Sequence, residues 1–336
     1  MTRFLFAAHD PGGALMLAAA APVIRSRGHE IVFAGAGPTV GLWRDAGYDV
    51  AEMAEPVDLT TSIDAVATGT GFSNYEQMFW GWASARQLPS LAVIDAWTNL
   101  VGRFQDGDRV VQPNAVCVID EDASSSIGNS GALDARLFVV GQPHLQAQTA
   151  LLRGGRLARP VPEGPPIVVF FSEPVREDYG DTRGFDQFQV FRTLAAAIPA
   201  GPVDILVKPH PREDAGAWTS AVAECPGAVI SGLSAPELLI ACDGVAGMTT
   251  MVLLEAHLLG LPVLSVQPDR TSVINPIIDE ICDVVTAGTA LPAAWRLFCD
   301  RLGTPGTAGG QFGRILDNAD GRLADAMEAV AIGLSR

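Results

Sequence analysis

The chain is poor in cysteine, in basic residues and in long unbroken apolar runs, and each shortage excludes something. Five cysteines stand among 336 residues: Cys117, Cys225, Cys242, Cys282 and Cys299. They are odd in number and far apart, with no CxxC pair and no CxxC–HxxH set. That argues against a disulfide framework or a zinc module, and buried thiols in a reducing cytoplasm are expected instead. Only 22 Lys and Arg face 38 Asp and Glu, a formal net charge of −16. A nucleic-acid partner requires a basic stripe and an anionic membrane requires basic clusters, so neither partner is expected. Apolar runs are cut by Gly, Pro or charge before the ~20 residues of a membrane span. The leading run is broken by His9 and Asp10, so neither a signal peptide nor a transmembrane segment is expected, and the location expected is cytoplasmic. No metal-binding or cofactor motif stands out.

What is present is a chain that is 48% hydrophobic and 18% charged, long enough for two domains with real cores. Short apolar runs alternate with helical patterns, the mark of βαβ units on a parallel sheet. Strands are expected at 3–8, 30–34, 48–53, 65–68, 91–94, 115–119 and 136–140, with helices at 13–26, 38–46 and 75–86. A Pro/Gly-dense stretch at 154–166 reads as a linker between a first domain, 1–153, and a second, 167–319. The alternation then restarts, with strands at 167–171, 203–207, 228–230, 244–246, 262–266 and 284–286. Helices are expected at 185–197, 215–223, 235–241, 250–259 and 292–301, and the Gly-rich run 303–310 reads as a loop. Residues 320–336 form a last amphipathic helix that can pack back across the linker. The fold class expected is α/β, two Rossmann-like domains facing across a cleft, with ligands bound outside the carboxyl ends of the strands.

The residues just after the strands therefore carry the chemistry. His9 and Asp10 precede Gly12 and Gly13 at the first strand-to-helix turn. Small glycines there admit a ligand, and the two ionisable groups are candidates for a general base; helix capping by Asp10 is the local alternative. This turn lacks the GxGxxG spacing of a dinucleotide site. Glu76 follows the run 68–75, where dipole compensation at a helix start and a carboxylate facing the cleft remain open. Asp95, Trp97 and Asn99 close another strand and can line an acceptor or base pocket. Asp120, Glu121 and Asp122 crowd a third strand end, either as a proton acceptor with a raised pKa or as a solvated helix start. In the second half Ser172 can bond a phosphate or cap a turn. Lys208, His210 and Arg212, with Pro209 and Pro211 between them, form a cationic spot in an acidic protein and suit a phosphate or pyrophosphate. Thr249 and Thr250 open a helix whose free N–H groups suit an anion, and Glu255 within it can accept ribose hydroxyls.

With those residues in place, the chain resembles the GT-B superfamily of glycosyltransferases and the related UDP-N-acetylglucosamine 2-epimerases. The run Gly247-Met248-Thr249-Thr250, with Glu255-Ala256 and Gly260-Leu261-Pro262 behind it, is similar to their nucleotide-binding helix. Lys208-Pro209-His210-Pro211 resembles the His-Pro motif of bacterial sialyl- and polysialyltransferase-like enzymes and capsule-polymer transferases. The resemblance implies GT-B architecture and a nucleotide-sugar donor, a UDP- or CMP-sugar, held by Lys208, His210, Thr249, Thr250 and Glu255. A residue of the first half, Asp10 ahead of Asp120 and Glu121, or else His9, would deprotonate an unknown acceptor in surface-glycan synthesis. An epimerase or hydrolase of a UDP-sugar, and a non-catalytic sugar-nucleotide binder, are the alternatives.

Overall fold

A computed structural model describes residues 1–56, 62–71, 73–158, 164–198, 203–304 and 310–333. The chain divides into two compact units, one of Met1–Gln148 with Gln311–Arg336 and one of Thr149–Gly310.

Unit 1 runs β1 (Arg3–Ala8), α1 (Pro11–Ser26), β2 (Glu30–Gly35), α2 (Pro38–Asp45), β3 (Val50–Glu52), β4 (Ala65–Thr68), α3 (Tyr75–Ala85) and β5 (Ser90–Val93). A small hairpin of β6 (Gln105–Asp106) and β7 (Arg109–Val110) follows, then β8 (Ala115–Val118), α4 (Glu121–Ser130) and β9 (Arg136–Val139). Helix α5 (Pro143–Ala158) starts in unit 1 and ends in unit 2. Unit 2 continues with β10 (Ile167–Phe171), α6 (Val175–Tyr179), α7 (Gln187–Ala197), β11 (Asp204–Lys208), α8 (Ala215–Ala223), β12 (Ala228–Ile230) and α9 (Ala235–Ala241). Its second half holds β13 (Gly244–Gly247), α10 (Val252–Leu258), β14 (Val263–Val266), α11 (Pro276–Ile281), β15 (Val284–Val285) and α12 (Leu291–Cys299). A short α13 (Gly310–Gly313) and α14 (Ala319–Gly333) end the chain.

The unit 1 sheet has the order β3-β2-β1-β4-β5-β8-β9, and the unit 2 sheet β12-β11-β10-β13-β14-β15. Every pairing in both sheets is parallel. Strands β4, β5 and β8 are buried throughout, as expected where helices cover both faces of a parallel sheet. In each unit the chain turns back beside its own first strand: β1 lies between β2 and β4, and β10 between β11 and β13. Sheets wound this way open a crevice at that reversal, beyond the carboxyl ends of the two strands. The relevant segments are thus 9–13, 69–71 and 73–75 in unit 1, and 172–175 and 248–251 in unit 2.

One boundary differs from the sequence reading. Residues 154–158, expected to begin the linker, continue α5; the helix absorbs Gly154 and Gly155 because its inner face finds packing, with Gly155 lying against Ile240. Residues 159–163 of that stretch, and 305–309 of the expected loop, lie outside the described residues. Helix α14 belongs to unit 1, where Leu323, Ala324, Met327 and Val330 share a core with Leu17, Ala20 and Ala21 of α1. Arg27 fastens it through Asp325 at 2.7 Å and Glu328 at 3.1 Å.

Candidate functional site

In unit 1 the crevice beyond β1 and β4 is a pocket of about 400 Å³ lined by Asp10, Pro11, Gly12, Thr70, Gly71, Asp95, Asn99 and Arg103. It is rich in carboxylates. Asp95 Oδ1 is paired with Arg103 at 2.7 Å, and the same guanidinium donates to Thr70 O and Thr70 Oγ1 at 3.0 and 2.9 Å. Arg103 thus ties the ends of β4 and β5 together. Asn99 sits at a left-handed φ of 53°, and its Oδ1 occupies the space beside Gly102, 2.2 Å from where a Cβ there would lie.

His9 and Asp10 form a pair, Nδ1 to Oδ1 at 2.7 Å, with side chains 33% and 27% exposed. The loop holding them is fixed on two sides: Thr39 Oγ1 donates to His9 O at 2.8 Å, and the His9 amide donates to Glu76 Oε1 at 2.9 Å. The imidazole stands over Gly37, whose φ is +55° and where a Cβ would lie 2.6 Å from His9 Nε2. Only glycine satisfies both conditions.

Gly12 and Gly13 meet protein atoms at close range. A Cβ at Gly12 would fall 1.8 Å from Asp95 Oδ2, and one at Gly13 would fall 2.4 Å from the Gly69 Cα. The start of α1 therefore already faces a carboxylate, which makes this pocket a poor anion site and a suitable one for hydroxyl groups.

Asp120 and Glu121 stand apart from that lining. Asp120 caps α4, accepting from the Ala123 amide at 2.8 Å, while its other oxygen accepts from the Trp97 indole N–H. Glu121 is exposed in the first turn of α4. Its neighbour Asp122 shares that turn, so these carboxylates act on the helix dipole.

In unit 2 the crevice beyond β10 and β13 is organised by two carboxylates that the sequence reading did not weigh. Ser172 Oγ donates to Glu213 Oε1 at 2.7 Å, and Glu213 Oε2 accepts the His210 backbone N–H. Thr249 gives both its amide and its hydroxyl to Glu173, the latter at 2.6 Å. Burial pushes the Glu173 and Glu213 carboxyls above the usual range. His210 Nδ1 accepts from the Arg212 amide at 3.2 Å, which leaves its ring proton on Nε2. Burial and then the Arg212 charge hold His210 below its ordinary value, so the ring offers a neutral N–H where a charged one was expected. Arg212 itself forms a two-pronged bond with Asp178 at 2.6 and 2.7 Å. Lys208 ends β11 and is the chain's single lysine. Glu255 is half-buried on α10. Among the described residues no group of three His, Cys, Asp or Glu could hold a metal ion, and no helix is long and apolar enough to cross a membrane.

No protein-family model matches the chain, and no curated protein matches it in sequence. Solved structures do match. A structure of S. aureus MnaA with UDP has a TM-score of 0.68 at 12% sequence identity, covering 99% of this chain and 98% of that one. UDP-GlcNAc 2-epimerase from Neisseria meningitidis, bound to UDP-GlcNAc, has a TM-score of 0.65 at 10% identity, covering 97% and 99%. The glycotransferase of kitacinnamycin has a TM-score of 0.62 at 13% identity, covering 98% of each chain. The chain has the GT-B fold.

Within this GT-B chain the structure joins Asp10, Gly12, Asp95 and Asn99 in one pocket, and sets Ser172 and Thr249 each against a glutamate. Glu173 and Glu213 were passed over because each sits beside a more conspicuous neighbour, Ser172 or Arg212. Their positions next to strand ends were the available signal. The lone lysine was a second, readable by counting.

Proposed function

We propose that this GT-B protein is a glycosyltransferase that moves a sugar from a nucleotide-sugar donor to a hydroxyl acceptor. The observation that carries the reading is the His9–Asp10 pair. A carboxylate on Nδ1 fixes the tautomer and orients the ring, leaving the Nε2 lone pair to take a proton. In the proposed reaction the acceptor O–H gives its proton to His9 Nε2 as its oxygen bonds the sugar C1. The C1–O bond to the donor phosphate breaks, and its electron pair leaves with the nucleoside diphosphate or monophosphate. On the donor side Lys208 and the neutral His210 Nε2–H meet the phosphates, with Thr249 and Thr250 available once Glu173 yields, and Glu255 reaches the ribose. The carboxylate-rich pocket of unit 1 suits the hydroxyls of a sugar acceptor.

A UDP-sugar 2-epimerase or hydrolase is the second reading, favoured by the carboxylates Asp10 and Asp95 lining a single pocket and by the epimerase structures of matching length. The separating experiment incubates the protein with UDP-, CMP-, GDP- and dTDP-sugars, with and without glycan acceptors. Product formed only with acceptor, and lost by ~10²–10⁴-fold in His9→Ala, supports the transferase. Turnover without acceptor supports the second reading, and turnover untouched by His9→Ala removes His9 as base.

A further inference from the structure

Glu76 lies in the first turn of α3, where a carboxylate normally faces solvent and complements the helix dipole. Here it is 1% exposed. Its Oε1 accepts the His9 amide at 2.9 Å, while its Oε2 is buried with no hydrogen-bond partner. An ionised carboxylate in that state carries a heavy desolvation cost. The bare oxygen does not point into apolar packing. A Cβ at Gly71 would lie 2.6 Å from Asp10 Oδ2 and 3.1 Å from Glu76 Oε2, so the two carboxyls border the same gap. Asp10 is the more exposed of the two and already faces His9 through its other oxygen. Two carboxyls that border one gap repel each other when both are ionised, and a proton is held more readily by the more buried one. Burial is the main influence and raises the Glu76 carboxyl; the His9 amide and then its own backbone amide pull it down, and the Asp10 charge adds a lesser raise that the His9 ring opposes. The titratable groups facing Glu76 are His9 and Asp10 from the β1–α1 junction and Tyr75 on its own helix.

We propose that Glu76 is a positioning residue that keeps a proton on Oε2 at neutral pH and turns it toward Asp10 Oδ2 across the Gly71 gap. Asp10 is then held between a neutral acid and the imidazole it orients, and the cluster carries one negative charge fewer than its composition implies. Glu76 acts through Asp10 and touches no reacting atom. Its catalytic consequence rests on the transferase reading of His9, whereas the proton itself does not.

The test is infrared difference spectroscopy on the full chain at neutral pH, wild type minus Glu76→Gln. The subtraction cancels every carboxyl that the two proteins share, whatever its charge. A carbonyl band of a protonated carboxylic acid that is present in the wild type and absent from Glu76→Gln is the expected result; no such difference band overturns the proposal. Should Glu76→Gln fail to fold, Asp10→Asn supplies the second arm. Removing the Asp10 charge must move the midpoint at which the acid band disappears to lower pH, and an unmoved midpoint overturns the coupling. Both readouts are independent of turnover, so a failed transferase assay leaves them standing.

Discussion

The carboxylate of Glu173 fills the turn after β13, taking the amide and the hydroxyl of Thr249 at once, with Oε2 at 2.6 Å from Oγ1. These are groups that a donor phosphate would need, and they are already bound to a negative side chain of the adjacent strand end. Glu173→Ala frees both donors and removes the repulsion. It is expected to raise the affinity for inorganic phosphate and UDP about tenfold, ~1.4 kcal/mol, read by titration calorimetry. Because burial raises the Glu173 carboxyl, the gain shrinks as pH falls and the wild-type side chain becomes neutral. Weaker UDP binding in Glu173→Ala would instead make Glu173 a ligand-contacting group.

Gly12 and Gly13 separate two kinds of close contact. At Gly13 a methyl group would meet the backbone of Gly69, which cannot turn aside, because β1 and β4 are neighbours in the sheet. At Gly12 it would meet the Asp95 carboxylate, which can rotate. Gly13→Ala is expected to cost roughly 1–3 kcal/mol of stability as overpacking. Gly12→Ala should cost less while displacing Asp95 from Arg103. Urea denaturation of both variants checks the order, and equal losses would refute it.

Stability should depend on pH through Glu76. Its folded-state carboxyl is raised above the ordinary value, so the folded chain holds the proton more tightly than the unfolded one. That contribution is complete below the ordinary glutamate range and fades as pH rises toward the raised value. Glu76→Gln, which never ionises, should therefore gain melting temperature relative to the wild type on going from about pH 5 to about pH 8. A difference that is flat with pH would mean that Glu76 is charged throughout.

The single lysine makes the proposed donor side directly testable. An amine-reactive reagent can modify only Lys208 and the chain's α-amino group. UDP is expected to protect Lys208, and His210→Ala to weaken that protection by about tenfold without lowering the melting temperature of the free protein. Since His210 is held below its ordinary value, the protection should hardly vary between about pH 6.5 and 8. Unchanged labelling in the presence of saturating UDP would place the phosphates elsewhere.

Much was legible from pattern alone. Runs 3–8, 65–68, 167–171 and 228–230 are strands with the expected ends, and 215–223 and 235–241 are helices with the expected ends. Period and punctuation are local properties, so a parallel α/β chain with sites after its strands follows from sequence without knowing which strands touch. Helices α4 and α5 were missed because Gly128 in the one and Gly154-Gly155 in the other read as breakers, although both helices are as amphipathic as those found.

What a side chain at a strand end does is not a local property. Asp120 and Asp10 both follow an apolar strand and precede a helix, yet one caps that helix and the other lines a pocket and pairs with a histidine. Glu76 and Glu121 both stand in a helix's first turn, yet one is buried beside Asp10 and the other is in water. The sequence by itself determined the βαβ alternation, the acidic balance and the set of candidate loops. Only the tertiary structure decided which carboxylates share a space, because that depends on the strand orders that set β1 beside β4 and β10 beside β13. Burial and neighbouring charge, fixed by that adjacency, then determine which carboxyl keeps its proton.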